Sequence, residues 1–109
     1  MHPVISRPVF HILLALAERD LHGLGVADSV ERTTGGAVDL GPATLYRSLK
    51  QMADDGLIRE AAAPTADDDP RRRYYAITAL GRRRAAAEAG RLRRFVDVAR
   101  ERNLLPERA

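Results

Sequence analysis

The apolar positions of this chain recur in a helical rhythm to about residue 56, alternate briefly, and return to a helical rhythm after residue 78. In SRPVFHILLALAERD, Val9, Phe10, Leu13, Leu14, Leu16 and Ala17 cover more than one face of a predicted first helix. Such a helix lies centrally or is covered by a second subunit. Ser6 can cap it, and Pro8 suits its first turn, where no amide hydrogen is needed. HGLGVADSVERTTGG predicts a second helix, entered through a tight turn at Gly23 to Gly25. Leu24, Ala27 and Val30 repeat at a spacing of three and are assigned to its inner face. Gly35 and Gly36 end it, because glycine takes the left-handed cap conformation without steric cost. AVDL then returns Val38 or Leu40 to the core.

GPATLYRSLKQMADDGLI predicts a third helix opened by Gly41 and Pro42 and ended by Gly56. Leu45, Leu49 and Met52 fall at i, i+4 and i+7, a single buried stripe. Leu57 and Ile58 re-enter the core as the chain extends. LIREAAA and RRYYAIT read as strands joined by the polar loop PTADDDPR, which is a β-hairpin. Thr78 caps a last helix that runs to about Arg102. The order predicts a mainly α fold with a small β-hairpin: a winged helix-turn-helix over residues 1–77, a C-terminal dimerisation helix over 78–103 and a flexible tail over 104–109.

A chain of 109 residues makes one small domain with a modest core, and much of its apolar content is alanine. An oligomer is therefore expected. The absence of cysteine excludes disulfides, thiolate metal sites and a cysteine nucleophile. His2, His11 and His22 have no metal-ligand spacing, and no cofactor is expected. No apolar run reaches the ~18 residues of a membrane helix, and no secretory signal is seen, so the chain reads as soluble and cytoplasmic. The net charge of +3 is unevenly spread: −2 over residues 1–60 and +5 over 61–109. That asymmetry is compatible with an anionic polymer as partner.

The third helix carries the candidate chemistry. Outside its buried stripe lie Pro42, Ala43, Thr44, Tyr46, Arg47, Lys50 and Gln51, with acids only at its far end. A helix that enters the major groove needs small residues for close approach and Arg, Lys, Thr or Gln to reach bases and phosphates. Its N-terminus also favours a phosphate. The hairpin adds Arg71, Arg72 and Arg73 at the base of a wing. Alternation would put Arg71 and Arg73 on one side and Arg72 on the other. They either meet the duplex backbone, where contacts position without specifying sequence, or balance Asp67, Asp68 and Asp69 across the wing. Of Tyr74 and Tyr75, one packs inward and the other outward. Tyr46 reads as a structural anchor.

In the last helix, Ala85, Ala89, Leu92, Val96 and Ala99 are spaced 4, 3, 4, 3, a heptad-like seam flanked by Phe95. Together with Phe10 and Leu14 of the first helix they are the candidate homodimer interface. Two recognition helices about 34 Å apart would then meet successive major grooves. No nucleophile-base pattern, phosphate-cradling glycine loop or metal cluster points to an enzyme, and His22 reads as a cap or packing residue. The alternative to a DNA-binding module is a winged helix that serves protein interaction.

The segments ILLALAERDLHGLGVADSVERTTGG, LGPATLYRSLKQMADDGLI and DPRRRYYAITALGRR, in that order and spacing, resemble the PadR family of transcriptional regulators, in particular its short subfamily with one C-terminal helix. The resemblance covers about residues 8–100. It implies a homodimeric winged-helix repressor that binds palindromic double-stranded operators and releases them on sensing a small molecule or another signal. It places Thr44, Tyr46, Arg47 and Lys50 on the recognition helix, Arg71 to Arg73 on the wing, and Leu92, Phe95 and Val96 on the dimer helix. Gly41 stands where many members have a serine cap. The chain has no tryptophan, which leaves Phe10, Leu92, Phe95 and Val96 as the candidate effector-pocket residues.

Overall fold

Helix α1 (Arg7–Glu18) begins where the Ser6 hydroxyl accepts the Val9 amide at 3.4 Å, with a proline in the first turn. The structure, a computed structural model, describes residues 4–106; residues 1–3, and residues 107–109 of the expected tail, lie outside the described residues. After α1 come β1 (Leu21–His22), α2 (Gly23–Thr34), α3 (Pro42–Asp54), β2 (Ile58–Ala61), β3 (Tyr74–Ile77) and α4 (Ala79–Glu101). The glycine stops fall as the sequence predicts. Gly35 and Gly36 after α2 and Gly56 after α3 all have positive φ. At Gly56 the Leu57 amide reaches back to the Met52 carbonyl at 2.9 Å, which satisfies one of the helix's last acceptors.

The core is built from Ile12, Leu13 and Leu16 of α1, Val26 and Val30 of α2, and Leu45, Leu49 and Met52 of α3, closed by Leu40, Leu57 and Ile58. This mainly α arrangement matches the predicted class. One stripe is shifted from the prediction. Leu24 is 66% exposed, and the inner face of α2 runs through Gly23, Val26 and Val30. Gly23 is the first helical residue and sits beneath the Tyr46 ring, where an added Cβ would lie 3.0 Å from Cε1. The face nearest α3 therefore needs no side chain at position 23, and Leu24 turns outward.

The sheet has three strands rather than two. The order is β1-β3-β2, all antiparallel, with Leu21 opposite Tyr75 and Ile58 opposite Ile77. β2 and β3 are each four residues long, shorter than the predicted runs. As a result Arg71 to Arg73 precede β3 and do not alternate within it.

His22 joins β1 to α2. Its Nδ1 accepts the Gly25 amide at 3.2 Å, capping α2, and its ring stacks on Tyr74 with centroids 5.3 Å apart and planes at 12°. His22→Ala removes a cap, worth about 1 kcal/mol, and an aromatic pair, worth about another 1 kcal/mol. A destabilisation near 2 kcal/mol in urea unfolding is expected. An unchanged midpoint would show that neither contact contributes.

Helix α4 is pinned at its start. The Thr78 hydroxyl accepts the Gly81 amide at 3.0 Å and donates to the Gly56 carbonyl at 2.6 Å, and the Thr78 amide donates to the Leu57 carbonyl at 3.1 Å. Gly81, Ala85 and Glu88 are buried against the rest of the protomer. Beyond them α4 projects. At 23 residues it is about 34 Å long, in a body of 51 × 31 × 26 Å. Asn103, at φ 62°, turns the chain, and the Leu104 amide returns to the Ala99 carbonyl at 2.8 Å. The first residue of the expected tail thus belongs to the helix stop.

Candidate nucleic-acid interface

Pro42 starts α3 because its fixed φ and missing amide hydrogen suit a first turn, and Gly41 provides no side-chain cap. The first turn holds no acid, so its amides face outward without a competing carboxylate. With Leu45, Leu49 and Met52 turned inward, Pro42, Ala43, Tyr46, Arg47, Lys50 and Gln51 are exposed and Thr44 is half-buried. Arg47 and Lys50 form no ion pair among the described residues. Gln51 differs: its Nε2 donates to Asp55 Oδ1 at 3.0 Å, which draws it toward the far end of the helix. Tyr46 packs over Gly23 yet stays 53% exposed, an anchor with an accessible edge.

The wing is self-paired. Arg71 forks onto Asp69, Nε to Oδ1 at 3.1 Å and Nη2 to Oδ2 at 3.0 Å, and its amide also donates to Oδ1 at 2.9 Å. Arg72 reaches Asp68 at 3.4 Å, and Arg73 lies 3.5 Å from Glu60. Asp68 accepts a hydrogen bond from the Tyr74 hydroxyl as well. This bond, then its backbone bond and Arg72, hold its carboxyl below the usual carboxylate range against the opposing effect of burial. Hydrogen bonds from Arg71 do the same for Asp69. Both carboxylates are therefore ionised at neutral pH. Pairs this exposed are individually weak, about 0–1 kcal/mol, so a phosphate can displace them.

Tyr74 is the buried ring of the pair, and Tyr75 lies half-buried on the face toward α3. Between α3, the start of α2 and the wing opens a cleft of about 620 Å³, lined among others by Leu24, Tyr46, Lys50, Glu60, Arg73 and Tyr75. The outer face of α3 and the wing thus share one continuous surface.

The predicted seam divides where α4 leaves the body. Ala85 and Phe10, both expected at the dimer interface, are each only 9% exposed, and Ala85 belongs to the core, so the chain itself already covers both. Helix α1 docks on α4, and of the seam only Ala85 joins the core. Ala89, Leu92, Phe95 and Val96 are exposed, Ala99 is half-buried, and Leu14 is exposed on α1. Neither the 620 Å³ cleft nor a second of about 420 Å³ is lined by Phe10, Leu92, Phe95 or Val96. The sequence did not mark Glu88. It is buried and paired with Arg91, whose Nε donates to Oε1 at 3.0 Å and whose guanidinium lies 5.6 Å from the Phe95 ring centre.

Over residues 12–87 the sequence matches the transcriptional regulator PadR-like family. The chain belongs to the PadR-like family. Solved structures agree on the fold. A PadR family transcription regulator from Clostridium difficile R20291 superposes with a TM-score of 0.74 at 22% identity, covering 88% of this chain and 97% of that one. A transcriptional regulator from Clostridium thermocellum gives 0.71 at 22% identity, covering 90% and 97%. Bacillus subtilis PadR in complex with operator DNA gives 0.62 at 19% identity, covering 72% of this chain and 44% of that one. No curated protein matched the sequence. The PadR-like family is one of transcriptional regulators and not of enzymes. Among the described residues no helix is long and apolar enough to cross a membrane.

Proposed function

We propose that this PadR-like protein is a cytoplasmic, homodimeric, sequence-specific repressor that binds a palindromic operator and is released by a small-molecule or other signal. The observation that carries the reading is the outer face of α3. Arg47 and Lys50 stand exposed and unpaired beside Ala43 and Thr44, opposite a fully buried stripe. Small residues near the N-terminus permit close approach to base edges, and the two cations reach bases or phosphates. The B. subtilis relative bound to operator DNA supports duplex DNA as the partner. Pairing of two protomers through the projecting half of α4, with Leu14 alongside, would cover the exposed apolar residues. An effector would act where Leu92, Phe95 and Val96 meet their counterparts, because a change in the tilt of α4 changes the separation of the two recognition helices.

Selection of bound duplexes from random DNA tests the reading. A palindromic consensus, with an affinity that falls steeply as salt rises, is the expected result. Weak, salt-insensitive binding would favour a protein-interaction module. On the selected duplex, Arg47→Ala should weaken binding by about 1–3 kcal/mol if the side chain makes a bidentate base contact. Unchanged affinity in a fluorescence titration would remove Arg47 from the interface.

A further inference from the structure

The sequence presents the wing as one acidic run followed by one basic run, but the geometry gives its members different positions. Between Pro64 and Tyr75 there are three aspartates and three arginines, so the wing is formally neutral. Asp68 faces inward: its side chain is 11% exposed, and it joins Arg72 to the hydroxyl of the buried Tyr74. Tyr74 in turn stacks on His22, the cap of α2. Asp69 is more open, its side chain 34% exposed, and the arginine it holds is the most exposed of the three, with an 89% accessible side chain. The Nε–Nη2 edge of the Arg71 guanidinium is occupied by that carboxylate. An arginine fork grips carboxylate and phosphate with the same planar geometry, so the two compete for it. Arg73, loosely paired with Glu60 at 3.5 Å and well exposed, is the least restrained.

We propose that the two adjacent carboxylates act on DNA binding in opposite directions: Asp68 is a positioning residue that latches the wing to the sheet through Tyr74 and Arg72, whereas Asp69 is a built-in competitor that holds Arg71 away from backbone phosphate. The proposal rests on the DNA-binding reading above and adds to it a division of labour among the wing residues. Arg72 is a structural partner of the latch, Arg71 is withheld, and Arg73 is available. Both carboxyls are held below the usual carboxylate range by these partners, which agrees with pairs that are formed at neutral pH.

Asparagine variants separate the two roles. Asp69→Asn keeps an Oδ1 acceptor for the Arg71 amide, so the turn is retained while the charge is lost. It should bind the selected duplex about two- to five-fold more tightly at low salt, the range an exposed pair can supply. The slope of log affinity against log salt should steepen by about 0.9 for each phosphate newly engaged. Asp68→Asn should bind more weakly with an unchanged or shallower slope, and Asp68→Glu should restore part of the loss. Thermal melts of each variant exclude unfolding as the cause. Tighter binding by both variants would overturn the latch, and no gain for Asp69→Asn would overturn the competitor. An arm without DNA uses inorganic pyrophosphate as the probe. The Arg71 Nε–Hε NMR signal should respond at lower pyrophosphate concentration in Asp69→Asn than in the unmodified chain, and equal responses would refute the competition. If the unmodified chain binds no duplex while this arm succeeds, the DNA-binding reading fails and the competition stands.

Discussion

Gly81→Ala is expected to destabilise the protein by about 3 kcal/mol or more, toward the upper end of overpacking effects. A Cβ at this position would lie 2.1 Å from the Leu57 carbonyl oxygen and 3.0 Å from Ile77 Cγ1. The nearer obstacle is backbone, so no rotamer change relieves it. Leu57 is not free to retreat. It is buried, it follows the positive-φ turn at Gly56, and its carbonyl accepts the Thr78 amide. To admit the methyl group, α4 must lift from the α3–β2 corner, which breaks the Thr78 contacts that start the helix. For a chain of this size the melting temperature should fall by roughly 12 °C or more. Gly90→Ala, in the same helix, is the control. Nothing lies within 4 Å of its added Cβ, so the substitution should be neutral or stabilise by up to about 1 kcal/mol through helix propensity. Equal melting temperatures for the two variants would show that the close approach of α4 to Leu57 does not exist in solution.

The helix boundaries were legible because their causes are local. A serine or threonine cap, a proline in a first turn and a glycine with positive φ each act within four or five residues, and Ser6, Thr78, Pro42, Gly35 and Gly56 do what their chemistry dictates. The buried stripe of α3 was legible for the same reason. Leu24 was misplaced because the true inner face of α2 begins at Gly23, where the packing feature is a missing side chain. A hydrophobic pattern cannot register an absence, so the reading shifted by one residue to the nearest leucine. Strand β1 is two residues long, too short to alternate, and it exists only because β3 offers it an edge.

The division of the α4 seam was illegible for a different reason. Ala85 and Ala89 are the same residue at consecutive positions of one repeat, and only the reach of α1 decides that the first is core and the second is open. Charge could be read only coarsely from the sequence. Of the two readings left open for Arg71 to Arg73, the wing pairs follow the balance with its aspartates, and the +5 of residues 61–109 lies mostly on α4, where Arg82, Arg83, Arg93 and Arg94 are exposed. On α3, Arg47 and Lys50 are exposed and in no ion pair among the described residues. Their availability depended on where Asp54 and Asp55 fell, and the helix periodicity did predict that.

Leu92→Asp combined with Val96→Asp should convert the protein to monomers at micromolar concentration while leaving the protomer folded. Both side chains are 38% exposed in the protomer, so they contribute little to its core, and melting should stay within a few degrees. In a pair of protomers joined along α4, the substitutions would place four carboxylates in an apolar seam beside Phe95, each unpaired and partly desolvated, a cost of several kcal/mol. Sedimentation velocity reads the outcome directly. Loss of the second half-site should then lower operator affinity by about 100-fold or more, because binding of the second module no longer benefits from the high effective concentration of a linked pair. Ala85→Asp makes the contrast. Ala85 sits in the core between α1 and α4, so a carboxylate there should unfold the protomer rather than dissociate it. A double variant that stayed dimeric would move the interface away from the projecting half of α4. The geometry of operator binding would then have to be rebuilt around a different two-fold axis.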